Sequence, residues 1–165
     1  MSIARIGKHL LHHHWWKKKY FPPKVLAAIE QAIKAGEATH VGQVRFVVEG
    51  ALDGAPLFHG QSARDRALDI FGQLRIWDTA HNNGVLIYLL LADRDVEIVA
   101  DRGIDAKIGA AGWERICRTM EAEFAAGRFE RGVIGGIEAV SRELAKYFPP
   151  GGAHPNELPD APVVL

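Results

Sequence analysis

Two short polar blocks carry the residue types from which metal-dependent or hydrolytic chemistry is built. The first is Trp77-Asp78-Thr79-Ala80-His81-Asn82-Asn83-Gly84, and the second is Asp101-Arg102-Gly103. Carboxylates, side-chain amides and hydroxyls are hard oxygen donors, and Ca²⁺ and Mg²⁺ draw such donors from several loops at once. Asp78 and Asp101 are therefore candidate metal ligands, with Glu37 as a third. Thr79, Asn82, Asn83, Gly84, Gly103 and His40 are candidates to line the same ligand site. Arg102 has the planar fork that grips a phosphate, and with Asp78 and Asp101 it makes up the catalytic candidates. Each residue also has a structural alternative. Asp78 could cap a turn, Asn83-Gly84 could make a left-handed bend, Glu37 could be solvated and Arg102 could pair with an acid.

Several other chemistries are excluded. The chain has no Walker-type glycine loop and no Gly-x-Gly-x-x-Gly after a strand, so no nucleotide cofactor is expected. It has no Gly-x-Ser-x-Gly elbow either. Cys117 is the single cysteine. It falls on the apolar stripe of an amphipathic helix and reads as a core thiol rather than a nucleophile, in a reducing compartment. Asp93-Arg94-Asp95 follows an apolar strand, as do the aspartates of phosphatases that form an aspartyl-phosphate. Glu97 stands where those enzymes need Thr or Val, so the trio reads as a charged hairpin turn. Glu49, Asp93 and Arg94 mark the opposite end of the sheet, where parallel sheets usually bind ligands. That end has fewer candidate ligands and ranks second.

A hairpin is what brings the two blocks together. Residues 85–91 are a continuous apolar run, and after a turn at Asp93-Arg94 the residues Val96, Ile98 and Ala100 alternate with polar ones. The start of the first strand and the end of the second then share one edge. Residues 43–48 read as a further strand, and a parallel setting would add Glu37, His40 and Gln43 to that edge. Helical spacing recurs after Pro22-Pro23 (Val25, Leu26, Ile29, Ala32, Ile33) and over residues 63–77 (Ala67, Ile70, Phe71, Leu74, Trp77). It recurs again over residues 113–124 (Ile116, Cys117, Met120) and 129–147 (Val133, Ile137, Val140, Leu144), the last despite Gly135-Gly136. This order predicts an α/β fold: a three-layer α/β/α sandwich, Rossmann-like, with a short mixed sheet ending in an antiparallel hairpin.

The 165 residues hold 20 Lys+Arg and 20 Asp+Glu, a formal net charge of zero. The zero conceals an asymmetry. Residues 1–20 contain Arg5, Lys8, Lys17, Lys18 and Lys19 and no acid, so a basic arm of +5 is joined to an acidic remainder of −5. The expected organisation is this arm, a domain over residues 21–148 and an extended, Pro-rich tail over residues 149–165. Ile3, Ile6, Leu10, Leu11, Trp15 and Trp16 suit a helix packed on the body or on a second subunit, or docking on a protein or an anionic membrane. Adjacent histidines do not face one another on a helix, so His12, His13 and His14 make a poor metal site. Zero net charge argues against a nucleic-acid partner. Lys8 and the histidines break the apolar stretch that a signal peptide needs, and the longest apolar run is too short to cross a bilayer. A cytoplasmic protein is expected, at most peripheral at the membrane.

The run LRIWDTAHNNGVLIYLLLADRDVEIVADRGI, residues 74–104, resembles the signature of the TPM domain family. That family includes a thylakoid-lumen acid phosphatase, photosystem II repair factors and many bacterial proteins. FPPKVLAAIEQAIKAGEATHVGQVRFVVE, SARDRALDIF and NELPDAPVVL match it as well, so the likeness covers nearly everything from Phe21 onward. It is specific, because Asp-x-x-x-Asn-Asn-Gly-Val and Asp-Arg-Gly-Ile occur in the right order across the hairpin. The resemblance implies the same sandwich, a phosphatase activity, and divalent-cation binding, Ca²⁺ first and Mg²⁺ second. Asp78, Asn83, Gly84, Asp101 and Gly103 carry over most plainly, and Glu37 is a looser match. Gln43 stands where relatives often have Glu, which removes one acidic ligand. The export signal and C-terminal membrane helix of many relatives are not expected in this chain. The expected function is a metal-binding domain that hydrolyses a phosphorylated substrate, a phosphomonoester. The alternative is a non-catalytic metal-binding or interaction module that docks on membrane-associated or other proteins.

Overall fold

The structure, a computed structural model, describes residues 3–11, 15–151 and 155–165. His12, His13 and His14, which make a poor metal site on sequence grounds, lie outside the described residues. In chain order the elements are α1 (Ile3–Leu11), α2 (Trp15–Tyr20), α3 (Pro23–Glu37), β1 (Gln43–Glu49), α4 (Gly54–Phe58) and α5 (Ala63–Gln73). They continue with β2 (Gly84–Leu90), β3 (Asp95–Ala100), α6 (Arg102–Ala125), α7 (Phe129–Tyr147) and β4 (Val163–Val164).

Side-chain alternation along the strands creates the layers, because successive residues point to opposite faces. Val44, Phe46, Val48, Val85, Ile87, Leu89, Val96 and Ile98 pack with α3, α6 and α7. Val47, Leu86, Tyr88, Leu90 and Val99 pack with α5 and its neighbours on the other face. The result is the expected α/β/α sandwich. β1 runs parallel to β2, with Gln43 opposite Gly84 and Glu49 opposite Leu90. β2 and β3 form the antiparallel hairpin, with Val85 opposite Ala100.

The sheet has four strands in the order β3-β2-β1-β4, and the fourth was not foreseen. The tail read as extended. In the structure it returns to pair Val163 and Val164 in parallel with Val47 and Val48. A two-residue strand carries no periodic signal, so only tertiary pairing reveals it.

Local chemistry sets most helix ends. Pro23 opens α3, where its fixed φ suits the first turn. Ser62 and Asp65 form a reciprocal capping box at the start of α5. That helix stops at Gln73 rather than at Trp77, and the chain turns through Arg75 at φ 51°. α6 begins at Arg102, earlier than the apolar period over residues 113–124 suggests. Gly109, at φ 69° and ψ 167°, breaks it, so no single helical period runs through both halves. Two of the three glycines of α7 have a packing reason. A Cβ on Gly136 would collide with Met120, and one on Gly132 with Phe124, so their absence lets α6 close on α7. Among the described residues no helix is long and apolar enough to cross a membrane.

Candidate functional site

The two polar blocks lock together at the edge where β2 starts and β3 ends. Asp101 N–H donates to Gly84 O at 2.9 Å, and Gly103 N–H donates to Asn82 O at 2.9 Å. Asn82 makes the bend at φ 50°. Gly84 and Gly103 are glycine because nothing larger fits. A Cβ on Gly84 would strike Ile76 O, and one on Gly103 would lie 2.5 Å from Asn82 O. Thr79 Oγ1 accepts from Asn83 N–H at 3.2 Å, and Asn83 Nδ2 donates to Val41 O at 3.2 Å, tying the loop to the segment that leads into β1. Asp101 caps α6, its Oδ1 accepting from Arg102 N–H at 2.7 Å.

Two oxygens are left over. Asp101 Oδ2 and Asn83 Oδ1 are buried with no hydrogen-bond partner. An acceptor shut off from water without a donor is unfavourable, and a hard cation is one way to satisfy it.

The remaining candidates scatter. Asp78, His81 and Arg102 are exposed on the rim of this edge. His40 is wholly buried, its Nδ1 bonded to Gly42 O at 3.1 Å, and its Nε2 lies near Gly36 and Ser141 in the α3–α7 contact. Glu37 Oε1 accepts from Val44 N–H at 2.9 Å. Burial, and then the Asp160 carboxylate beside it, push the Glu37 carboxyl up to about 8, against the pull of the Val44 N–H and Arg45. Among the described residues, no group of three or more His, Cys, Asp or Glu is placed to hold a metal ion. Asp78, Asp101 and Glu37 are thus not gathered into one acidic cluster.

Sequence reasoning missed the partners that the C-terminal segment brings. Gln43 Oε1 accepts from Glu157 N–H at 2.9 Å and from Leu158 N–H at 2.8 Å. Arg45 donates to Pro159 O and, at 3.1 Å, to Ala161 O. Ala80 N–H donates to Glu157 Oε2 at 2.9 Å, which fastens the segment to the first polar block. The one available signal was Arg45 itself, a cation inside an otherwise apolar strand. Burial of such a group demands acceptors from elsewhere in the chain.

At the opposite end of the sheet, Arg66 grips both oxygens of Glu49 at 2.9 Å, and Tyr88 Oη donates to Glu49 at 2.7 Å. The phenol is held above its ordinary range by burial and by Glu49. Arg5 and His9 of α1 both reach Asp93, at 2.9 and 3.2 Å. Glu49 and Asp93 are therefore paired within the protein. Arg94 sits at φ 55° in the hairpin turn, as the charged-turn reading expects. Burial pushes the Cys117 thiol up to about 12, so it is an inert core thiol. A groove of about 1090 Å³ runs between α2, α6 and α7, past Tyr20, Met120 and Phe129, and touches none of the two-block residues.

The order and interlocking of the two blocks agree with the comparison of whole sequences. The TPM domain profile matches residues 17–143. The chain belongs to the TPM domain family. Among solved structures, this TPM domain is similar to the BA42 protein of the psychrophilic bacterium Bizionia argentinensis, determined by NMR. The identity is 30% and the TM-score 0.75, over 86% of this chain and 92% of that one. It also shares its fold with the N-terminal domain of a P. gingivalis protein, at 19% identity and a TM-score of 0.65, over 82% and 83% of the two chains. Comparison with curated proteins finds no match.

Proposed function

We propose that this TPM domain binds a divalent cation, Ca²⁺ before Mg²⁺, at the edge formed by the two blocks, and that it hydrolyses a phosphomonoester there. The observation that supports this reading is the pair of buried, donorless oxygens, Asp101 Oδ2 and Asn83 Oδ1, in adjoining loops. Both are hard donors, and Asp78 on the same rim offers a second carboxylate. Glu37 is left out of this set, since its oxygens serve Val44 and Asp160. A cation held there would supply Lewis-acid polarisation of a phosphoryl oxygen. The chain's own contribution is positional. Asp101 is fixed by capping α6, Asn83 by its bond to Val41 O, and Arg102 at the start of α6 presents a guanidinium to an incoming phosphate. The lone, buried Cys117 suits a reducing, cytoplasmic setting.

A second reading has its own observation. Thr79, Asn82, Gly84 and Gly103 all spend polar groups or close contacts on locking the loops, so the blocks could serve architecture in a non-catalytic module. One experiment separates the two. Turnover of p-nitrophenyl phosphate by the intact protein is measured with Ca²⁺, with Mg²⁺ and after chelation, alongside calorimetric titration of each ion. Asp101→Asn keeps an oxygen for the cap and removes the charge. It should weaken cation binding at least about tenfold and abolish turnover. Cation binding without turnover would leave the interaction module, and no binding at all would defeat the metal reading.

A further inference from the structure

We propose that α1 is a strap across the carboxyl end of β1 and β2, and that His9 is its clasp, closed while the imidazole is neutral and opened by a proton. The strap is fastened at two points, the segment after β1 and the turn after β2. His9 is 3% exposed, its Nδ1 accepting from Leu52 N–H at 2.9 Å while its Nε2 lies 3.2 Å from Asp93 Oδ1. Arg5, one turn earlier in α1, donates to the other Asp93 oxygen at 2.9 Å and to Gln61 O at 3.0 Å. Ile6 packs on the α5 side of the core. These three residues form the inward side of α1, and Leu10, 60% exposed, marks the outward side. The strap thus covers the end of the sheet at which parallel strands usually bind ligands.

The closed geometry admits only the neutral ring. Nδ1 offers its lone pair to Leu52, so the single ring proton sits on Nε2. A second proton would set Nδ1–H against Leu52 N–H and leave that N–H without its acceptor. Leu52 is 2% exposed, so water does not take the acceptor's place. The surrounding charges do not reverse this. Asp93 draws a cation, and Asp95 lies within the field of both Asp93 and Arg5. Arg5 already holds Asp93, however, and its guanidinium and the exposed Lys8 oppose a further positive charge beside them. α4 carries no titratable side chain, and Asp53 and His59, which flank it, are exposed. From α5, Arg66 is bound to Glu49 and Asp65 to Ser62. With the strap lifted the ring is solvated and takes the proton freely, so acid shifts α1 toward the open form.

The test follows the intact protein by NMR from about pH 7.5 to about pH 5, the range in which histidine changes charge. Ring nitrogen shifts report the His9 proton, the signals being assigned by their loss in His9→Gln. Amide exchange, corrected for its intrinsic pH dependence, reports the clasp. At the upper pH the ring should be the Nε2–H tautomer. On acidification the protection of Leu52 N–H should fall at least about tenfold, in step with the ring, while the β2 amides stay protected. Acid keeps Glu37 protonated, so that group works against such a loss rather than for it. His9→Gln offers an amide oxygen to Leu52 and takes no proton, so its protection should not change with pH. If that variant never closes, the coincidence of the two parent curves decides. An Nδ1–H tautomer at the upper pH, or unchanged Leu52 protection, would overturn the proposal. So would a loss out of step with the ring or shared with β2, or a protected His9→Gln variant that opens like the parent.

Discussion

Glu37, at the end of α3, and Asp160, on the C-terminal segment, meet carboxyl to carboxyl beside Arg45. Two such groups in hydrogen-bond contact retain a proton between them, because like charges this close cannot both ionise cheaply. Burial, and with it the neighbouring Asp160, therefore keeps the Glu37 carboxyl protonated well above the ordinary carboxylate range.

A pH dependence of stability follows. The Glu37 carboxyl is raised from 4.5 to about 8 in the folded protein, so the native state keeps a proton that the unfolded chain releases. The stabilisation is complete below the unfolded value and is lost as pH rises through about 8. The unfolding free energy from urea titrations should fall between these limits, by on the order of 1–3 kcal/mol once water's screening of a partly exposed pair is counted. Glu37→Gln keeps a neutral donor for Asp160 and should flatten the profile. A parent and variant with the same pH profile would rule the shared proton out.

Removing the Gln43 side chain should loosen the same segment. Gln43→Ala deletes the acceptor for two backbone N–H groups, those of Glu157 and Leu158. The expected cost is about 1–3 kcal/mol. Hydrogen exchange at Leu165 N–H, which donates to Val48 O at 2.9 Å, should speed up, while exchange along β2 stays slow. Unchanged protection at Leu165 would mean that β4 holds without the clamp.

Gly84→Ala and Gly103→Ala should each destabilise the fold by about 1–3 kcal/mol, because the added Cβ has backbone atoms in its way rather than flexible side-chain ends. Gly135→Ala is the control, since nothing lies within 4 Å of its Cβ position. It sits within α7, so it should stabilise slightly. Thermal melts of the three variants decide the matter.

Asp93→Asn should free α1 without unfolding the sheet. The substitution removes the ion pair with Arg5 and the carboxylate facing His9. The global cost should be about 1 kcal/mol or less, as for other partly exposed pairs. Trypsin cleavage at Arg5 and Lys8 should accelerate severalfold while β1, β2 and β3 remain resistant. Cleavage at the parent's rate would show that Ile6 and the Leu52–His9 bond suffice to hold the helix.

The sandwich and its hairpin were legible in residues 43–48 and 85–100, because alternation and unbroken apolar runs are local consequences of which strand face is buried. The edge where Asp101 meets Gly84 was legible for the same reason. A hairpin forces its two ends together whatever surrounds them. The contacts of Glu37 and His40 were not, since sequence placed both near that edge but could not say which way their side chains turn.

By itself the sequence determined the strand faces, the two interlocking polar blocks, the TPM likeness and the separation of a basic arm from an acidic body. Each of these is written in neighbouring residues. Tertiary structure alone decided that Asp160 would face Glu37, that Gln43 and Arg45 would clamp the last segment, and that His9 would set the outward side of α1. Those contacts join residues far apart in the chain. They are selected by the need to satisfy buried polar groups after the core has closed, and no local pattern encodes such a need.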